Sequence, residues 1–262
     1  MATDILVSIV SGDLFCRNWM SLLLVRDWRT RLASEIDLET QVVHIFGSPT
    51  QRVDCLLVDV DDFFESAAGS AIIKDMLHKY PELRVMFVGT EIESRLFERY
   101  EPSRIAGYLK KDEIGTSLGW AITFAYENHT IFTPEAFETA SRLGFEIPQN
   151  KLIMQTRTLP GLTGHQGEIA RLAIIFSLGR RDLADELKIS DQWSYGIVSE
   201  LYTRLGLDAL FDGSYDPFQY LQDDPIIQVH LQEIISELGN NKKARDLETL
   251  AFHLITMPVI EE

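Results

Sequence analysis

Two charged side chains, Asp59 and Lys111, each follow a short apolar run of the kind that forms a buried strand. Asp59 comes directly after residues 55–58, and Lys111 comes two positions after Leu109. Ligands of doubly wound sheets bind at the carboxyl ends of the strands, so both side chains are expected at such a site. A carboxylate in that place can form an ion pair with the lysine. It can also accept a phosphoryl group, provided that Mg²⁺ neutralises the charges that meet there.

The chain has none of the sequence patterns that mark the other common catalytic sites. It contains no GxSxG motif, no P-loop and no cluster of His, Cys and Asp at metal-ligand spacing. Cys16 and Cys55 lie in apolar surroundings, which predicts two buried free thiols rather than a disulfide or a metal site. An enzyme is therefore not expected, and Asp59 carries the only candidate chemistry.

Short apolar runs alternate with stretches of helical period through the first half of the chain. Strands are predicted at residues 5–10, 41–45, 55–58, 85–88 and 107–109, and helices at 15–32, 69–79, 93–101 and 116–127. Strands of this length separated by helices predict a parallel, doubly wound α/β sheet of the flavodoxin-like kind.

The second half of the chain is helical by its periodicity. A helix at residues 182–188 and a helix at 191–204 come first, joined by a turn, and two amphipathic helices follow near 225–238 and 242–256. His230 and His253 lie on these last two helices. No metal ligand stands at helical spacing from either of them, so we expect both at the surface or in an interface.

These patterns divide the chain into four parts. The sheet domain is predicted at residues 1–135, a linker at 136–160, an all-helical domain at 161–207 and an acidic helical extension at 208–262. A helix is predicted at residues 133–144, and a connector of about 15 residues marked by prolines and glycines follows it. The apolar faces of the extension must pack on another surface. A second copy of the chain is the first candidate, which predicts a homodimer.

The sheet domain resembles the receiver domain of NarL/FixJ response regulators in two motifs. DCLLVD at residues 54–59 resembles the third-strand pattern, and AGYLKKDE at residues 106–113 resembles the fifth strand. The resemblance implies that Asp59 stands at the phospho-acceptor position and Lys111 at the position of the phosphate-contacting lysine. It also places Tyr108 at the aromatic switch position.

Two further positions of that site differ from the family pattern. The family has an acidic pair for Mg²⁺ at the end of the first strand, where this chain has Ser11 and Gly12, with Asp13 one position later. A hydroxyl normally follows the fourth strand, but Gly89 stands there and Thr90 comes next. These differences favour a pseudo-receiver, which is a receiver fold whose phosphorylation site is degenerate.

The altered positions also bear on cofactors and partners. Mg²⁺ at Asp13 and Asp59 is the only cofactor candidate, and the missing acidic pair argues against it. The missing acidic pair also argues against a histidine kinase as partner. The alternative interpretation is that Asp59 forms a structural ion pair with Lys111 and carries no signal.

Residues 162–207 resemble the LuxR-type helix-turn-helix domain of the same family along almost their whole length. The matching positions are Leu162, Thr163, Glu168, Ala184, Leu187, Val198, Leu201, Leu205, Gly206 and Leu207. The resemblance implies that residues 191–204 enter DNA. The candidate DNA-binding residues are Arg180, Arg181, Gln192, Trp193, Tyr195, Ser199 and Arg204.

The expected DNA-reading helix is poor in positive charge. Arg204 is its only cation, against the anions Asp191 and Glu200. Gln192 and Tyr195 can still contact bases or phosphates. An aromatic face with few lysines is also typical of protein interfaces, so a docking role is an alternative.

Charge weakens the expectation of DNA binding without excluding it. The net charge is −16, and residues 208–262 carry −8 of it, whereas proteins that bind phosphates are usually basic. Two functions stay open. One is a transcription regulator that binds DNA as a dimer, and the other is a protein-interaction module that has lost DNA binding. Inhibition of DNA binding by the acidic extension is a separate hypothesis, suggested by its charge of −8.

The composition of the chain also suggests where the protein works. No run of about 18 apolar residues occurs, so no membrane span is expected. The apolar stretch at the N-terminus is short and lacks a basic region, so we interpret it as a first strand rather than a signal peptide. We expect a cytoplasmic protein.

Overall fold

The computed structural model describes residues 4–47, 52–61, 67–100, 102–157, 162–207, 224–238 and 244–261. No helix in these ranges is long and apolar enough to cross a membrane. The chain divides into two compact units. The sheet unit consists of Ala2–Thr156 and Pro258–Glu262, and the helical unit consists of Arg157–Met257.

Nine strands among the described residues form one sheet, the core of the sheet unit. They are β1 (Ile5–Ser11), β2 (Thr30–Asp37), β3 (Val43–Ile45), β4 (Cys55–Asp59), β5 (Arg84–Gly89), β6 (Ile105–Lys110), β7 (Thr130–Phe132), β8 (Lys151–Thr156) and β9 (Pro258–Glu261). Their order is β3-β2-β1-β4-β5-β6-β7-β8-β9, and only the edge pairs β2–β3 and β8–β9 are antiparallel. The five strands β2-β1-β4-β5-β6 follow the flavodoxin-like order, which confirms the predicted doubly wound fold.

The described helices of the sheet unit are α1 (Leu14–Arg26), α2 (Ala67–Lys79), α3 (Arg95–Arg99), α4 (Lys111–Ile114), α5 (Leu118–Tyr126) and α6 (Pro134–Arg142). Helices α1 and α5 contact each other and neighbouring strands. Helices α2, α3 and α6 place Ile73, Phe97 and Ala136 in a common core with Val58 and Phe87. Because the central strands are covered on both faces, β4 and β5 are buried almost continuously instead of alternately.

The turn between α1 and β2 differs from the sequence-based prediction. The helix expected at residues 15–32 ends at Arg26, because the buried carboxylate of Asp27 pairs with the Arg29 guanidinium at 2.7 Å in a tight turn. Residues 30–37 therefore form a strand, β2. The strand predicted after it is β3, which lies at the edge of the sheet.

The sheet unit also takes in segments that were expected elsewhere. The linker expected at residues 136–160 contains most of α6 and all of β8. The extension expected at 208–262 ends in β9, which pairs with β8 in the register Met154↔Ile260. The physical reason is burial, since Leu152 and Met154 of β8 are 2% and 0% exposed. Apolar runs this short cannot be assigned to a strand from their periodicity alone.

The described parts of the helical unit contain α7 (Gly164–Ala170), α8 (Arg180–Leu187), α9 (Asp191–Arg204), α10 (Pro225–Leu238) and α11 (Ala244–Ile255). Helix α7 begins with a capping box between Thr163 and Gln166 and continues into a π-helical turn at Arg171–Ile175. Helices α10 and α11 contact each other, and α11 also packs on the π-helical turn. Residues 208–223 and 239–243 of the expected extension lie outside the described residues.

The two histidines of the last helices lie in the core of the helical unit. His230 is 7% exposed and His253 is 0% exposed, so the prediction of surface or interface positions was wrong. Each histidine stands three positions after a buried residue, Ile227 or Leu250. The helical period therefore turns both rings to the buried face.

Candidate functional site

Asp59 is the centre of a buried polar cluster at the carboxyl ends of the strands. It is the last residue of β4 and is 4% exposed. Its Oδ1 lies 2.9 Å from Lys111 Nζ, and its Oδ2 accepts a hydrogen bond of 2.9 Å from Ser11 Oγ. Since Ser11 ends β1 and Lys111 follows β6, the order of the sheet brings the three side chains together.

Lys111 links Asp59 to a second carboxylate, that of Asp61. The Nζ atom of Lys111 lies 2.7 Å from Asp61 Oδ2. Asp61 also accepts hydrogen bonds of 2.6 Å from the backbone N–H and from the hydroxyl of Thr90. These four residues and Ser11 together are called the Asp59 cluster below.

The cluster keeps Lys111 and Asp61 charged. Burial alone would lower the pKa of Lys111, but its hydrogen bonds to Asp61 and Asp59 outweigh burial and raise that pKa. Burial likewise opposes the ionisation of Asp61, yet the hydrogen bonds from Lys111 and Thr90 hold its pKa below the usual value. The two groups therefore remain an ion pair at neutral pH.

Asp13 does not join this cluster, although it stands close to Ser11 in the sequence. Its carboxylate caps α1, where it accepts a hydrogen bond of 2.8 Å from the backbone N–H of Phe15. Its backbone N–H and carbonyl are bonded to Ser11 Oγ. The N-cap is a stabilising role for an aspartate, and it leaves β1 ending on a serine.

The donor set around Asp59 does not fit Mg²⁺. The ion needs several oxygen ligands in near-octahedral geometry. Here the Lys111 ammonium occupies the place between the Asp59 and Asp61 carboxylates where a cation would bind. Within the described ranges, no group of three His, Cys, Asp or Glu side chains could hold a metal ion. No chemical step is therefore assigned to Mg²⁺ at Asp13 or Asp59.

The hydroxyl that follows β5 belongs to Thr90 and is bonded to Asp61. A Cβ at Gly89 would lie 2.7 Å from Val60 Cγ2 and 3.1 Å from Asp61 Oδ1, so any larger residue forces its neighbours to move. Thr90, one position later, donates its hydroxyl to Asp61 at 2.6 Å. The one-residue displacement in the sequence thus changes what the hydroxyl contacts.

Cys16 is a neighbour of the Asp59 cluster that the sequence patterns did not reveal. It is a free, half-buried thiol on the first turn of α1, within hydrogen-bonding reach of Asp59 and Lys111. Burial and the Asp59 carboxylate raise the pKa of this thiol to about 12, so the reactive thiolate is scarce at neutral pH. The only sequence signal is its position three residues after Asp13, at the start of the helix that follows β1.

Tyr108 is packed in an aromatic cluster inside the sheet unit and is 2% exposed. Its ring centroid lies 4.2 Å from that of Phe97 and 5.8 Å from that of Phe132. Burial raises the pKa of its hydroxyl, which has no hydrogen-bond partner within the described part of the chain. Rings from α3 and β7 thus hold the side chain inward.

The second candidate site is the α8–α9 pair of the helical unit. Helix α8 ends at Leu187, and the next residue, Lys188, has a left-handed backbone (φ 54°) that makes the turn towards α9. The Oγ atom of Ser190 caps α9 by accepting a hydrogen bond of 3.2 Å from the Trp193 N–H. Helix α9 begins at Asp191 and ends at Arg204, which confirms the bounds expected from the sequence.

Three buried side chains, Ser194, Val198 and Leu201, define the inner side of α9. With about 3.6 residues per turn, the centre of the opposite side is an exposed strip without charged residues, and the exposed Glu200 lies directly beside it, between Gly196 and Trp193 around the helix. The strip consists of Gln192, Gly196, Ser199 and Thr203. Trp193 and Tyr195 flank it and are 59% and 62% exposed. The strip and the two aromatic residues together are called the α9 face.

Two of the three arginines expected to bind DNA have partners within the helical unit. Arg204 pairs at 2.8 Å with Glu200, one turn earlier on α9. The Arg180 guanidinium lies 5.8 Å from the centre of the Tyr195 ring. Arg181 is exposed on the first turn of α8. The structure thus brings Arg180 next to the α9 face, whereas Arg204 is engaged by a carboxylate.

No family model and no curated protein matches the chain. Among solved structures, the Salmonella typhimurium RcsB response regulator is 17% identical, and the match covers 78% of this chain and 93% of that one with a TM-score of 0.40. The ChrA response regulator of a heme-sensing two-component system is 16% identical over 79% and 92%, with a TM-score of 0.38. An RcsB–DNA complex is 18% identical over 78% and 93%, with a TM-score of 0.41. Likenesses this weak carry no argument about function.

Proposed function

We propose that this protein is a transcription regulator of the response-regulator type. Its sheet unit is not phosphorylated, and its helical unit binds duplex DNA through α9. The observation that carries the proposal is the α9 face, because Gln192, Trp193 and Tyr195 are exposed on a capped helix that follows a tight turn. The major groove of DNA is wide enough for such a helix.

The Asp59 cluster supports a sheet unit that carries no phosphoryl group. A phosphoryl acceptor needs a carboxylate oxygen that is open to the incoming phosphate. Both Asp59 oxygens are already bound, one to Lys111 and the other to Ser11. We therefore assign this ion pair a structural role, in which it holds the ends of β1, β4 and β6 together.

Acetyl phosphate with Mg²⁺ tests this assignment. We expect the intact mass of the protein to stay unchanged, and its DNA binding not to respond. A mass increase by one phosphoryl group that Asp59→Asn abolishes would overturn the assignment. Asp112→Asn is the matched control, because it removes a carboxylate that is 72% exposed and close in the sequence to Lys111.

Cations of the helical unit supply contacts to DNA phosphates. Arg171, Arg181 and Lys188 are exposed, and Arg180 is half-buried. Phosphate contacts position a reading helix on the duplex without specifying its sequence. These charges offset only part of the net charge of −16, so we expect binding that is clear at low salt and weak at physiological salt.

The experiment is the binding of the full-length protein to genomic DNA fragments at low and at physiological salt, with a polyanion competitor present. We expect saturable, fragment-selective binding that weakens as salt rises. Arg181→Ala should weaken binding to all fragments alike, because a phosphate contact carries no sequence information. Arg95→Ala removes the same charge from the sheet unit and should leave the affinity unchanged.

A protein-docking module is the second candidate function. The exposure of Trp193 and Tyr195 favours it, because aromatic residues are enriched and lysines depleted at protein interfaces. The same experiment separates the two functions. No binding to any fragment at low salt, where electrostatic attraction is greatest, would reject DNA binding and leave the α9 face as a protein-docking surface.

We also propose a homodimer in which α1 forms the contact between the two copies. Leu14, Phe15 and Val25 are 58%, 86% and 65% exposed, and with Leu22 they form one mainly apolar stripe on α1, which also contains the exposed Asn18. A second copy would cover this stripe in an isologous contact and would present α9 twice, to half-sites about one helical turn apart. The extension at 208–262 suits this role less well, since its described helices bury apolar side chains within the helical unit.

A further inference from the structure

We infer that the α9 face reads A·T base pairs in the major groove and does not read guanine. The inference rests on the proposed DNA-binding function and names the class of sequence that this function selects. It follows from the side chains of the α9 face, from those that the face lacks, and from the open space in front of Gly196.

Guanine has no matching partner on this surface. Proteins read guanine mainly with arginine or lysine, which bind its O6 and N7 atoms in a bidentate contact. The α9 face contains neither residue type. Arg204 lies at the other end of the helix and binds Glu200, and the Arg180 guanidinium lies beside the Tyr195 ring. A G·C pair opposite the α9 face would thus lack its usual donors.

Adenine and thymine match the side chains that are present. A glutamine amide can donate to N7 of adenine and accept from its N6 amine. Gln192 is exposed on the first turn of α9, which is the part of a reading helix that contacts base edges. The C5 methyl of thymine is the apolar group of the major-groove edge, and Trp193 and Tyr195 offer it apolar surface on either side of Gln192.

Gly196 lets base edges come close to the backbone of α9. It follows Gln192 by one turn, and a Cβ built on it meets no atom of the described chain within 4 Å. Packing therefore does not require glycine at this position, and glycine makes the helix less stable than alanine would. The missing side chain leaves room in front of the helix for a group such as the thymine methyl.

Two carboxylates of α9 could favour a different base, because Asp and Glu accept hydrogen bonds from the N4 amine of cytosine. Glu200 is bound to Arg204. Asp191 lies about 100° around the helix from Gln192 and outside the central strip. If either carboxylate governs recognition, the protein will prefer a G·C duplex.

The test uses four synthetic duplexes of equal length and the full-length protein at about 50 mM salt. They are an A·T duplex of mixed sequence, the same duplex with deoxyuridine for thymidine, a G·C duplex, and the same G·C duplex with 5-methylcytosine. Each modified duplex differs from its parent only in the major-groove methyl group. We expect the A·T duplex to bind about tenfold more tightly than the G·C duplex. Replacing thymidine with deoxyuridine should weaken binding, and replacing cytosine with 5-methylcytosine should strengthen it.

Three variants complete the test. Gln192→Ala and Tyr195→Ala change exposed residues and should reduce the preference for A·T, whereas Arg181→Ala should weaken all four complexes alike. Equal affinity for the four duplexes, or a preference for G·C, would overturn the inference while leaving the proposed function intact. No binding to any of the four would reject the proposed function, and the inference with it.

Discussion

Lys111 acts on the sheet unit by compensating the buried charge of Asp59. The Asp59 side chain is 4% exposed and that of Lys111 is 26% exposed, so water screens this pair poorly. Forming such a pair adds little net stability, because both charges lose their hydration. Removing one partner is costly, because the other charge then stays buried without compensation.

Lys111→Met should therefore lower the free energy of unfolding by about 3–5 kcal/mol. Urea denaturation at neutral pH measures the change. Lys110→Met is the matched control, because Lys110 pairs with Glu135, which is 41% exposed, and losing this pair should lower the free energy of unfolding far less than losing Lys111. Adding Asp59→Asn to Lys111→Met should restore most of the stability. A double variant as unstable as the single one would contradict the role of Lys111.

Asp61 should make the stability of the sheet unit depend on pH at the acid end. Burial opposes its charge, but the hydrogen bonds from Lys111 and Thr90 prevail and hold its pKa below the ordinary 3.8. A carboxyl group of this kind stabilises the fold above its unfolded pKa, and the contribution disappears as pH falls through the folded pKa. Between about pH 4 and pH 2, Tm should fall more steeply for the natural protein than for Asp61→Asn. Parallel thermal profiles would show that Asp61 has no such effect.

At the scale of elements, the sequence predicts best those segments whose local pattern agrees with their surroundings. Helix α9 has the expected bounds because Ser190 supplies a cap and buried positions recur with the helical period. Strands β4 and β5 were predicted from continuous apolar runs, which a parallel sheet covered on both faces requires. In these segments, local propensity and tertiary packing favour the same structure.

The missed elements are those that depend on distant partners. Strand β2 follows α1 after a short turn, and the polar residues within it fit a helix as well as a strand. Strands β7 and β9 have only three and four residues, and they form by pairing with strands already in the sheet. No local pattern specifies such pairing.

The candidate site was likewise predictable only where strand positions determine it. Asp59 and Lys111 could be placed together because each follows a strand of a parallel sheet. The hydrogen bonds that Thr90 donates to Asp61 and the approach of Cys16 depend on side-chain directions in the connecting loops and on the first turn of α1. Strand order does not determine these directions, so the sequence could not indicate these contacts.

We expect Gly196→Ala to have two opposed effects, one on the stability of α9 and one on its DNA binding. The substitution should raise the free energy of unfolding by about 1 kcal/mol, because alanine favours the helix and its methyl group meets open space. It should also weaken binding to the A·T duplex, because the methyl group fills the space in front of the helix. Gly167→Ala in α7 meets open space too, and it should stabilise the protein without changing DNA affinity. Unchanged DNA affinity for Gly196→Ala would contradict the close approach.

The whole molecule is a sheet unit with the helical unit inserted between β8 and β9. The chain leaves the sheet after Thr156 and returns at Pro258, and these two residues are partners in the sheet. The acidic extension is therefore not a free tail. Its described helices contribute Ile227 and Leu250 to the core of the helical unit, and its last strand belongs to the sheet. Deleting residues 208–262 would remove core and strand together, so it cannot test inhibition of DNA binding alone.

The proposed dimer predicts that charges on the α1 stripe separate the two copies. Phe15→Glu combined with Val25→Glu should give a monomer in analytical ultracentrifugation, because both residues are largely exposed and the contact would bring four like charges together. DNA affinity should fall in parallel, since a monomer presents a single α9. Leu143→Lys, at a position that is 46% exposed, is the control and should keep the size of the natural protein. A double variant that sediments like the natural protein would place the contact elsewhere.

Removing strand β9 should cause association between copies through the exposed edge of the sheet. Deleting residues 258–262 removes the antiparallel partner of β8 and leaves its backbone N–H and C=O groups unpaired along one edge. Unpaired edges of this kind join with edges of other copies, so light scattering should show particles that grow with protein concentration. Thermal stability should fall as well, because buried Pro258 and half-buried Val259 and Ile260 leave the sheet. Removing only the last residue is the control, because β9 ends at Glu261. If the five-residue deletion keeps the natural size and Tm, β9 does not protect the edge, and the return of the chain to the sheet is dispensable.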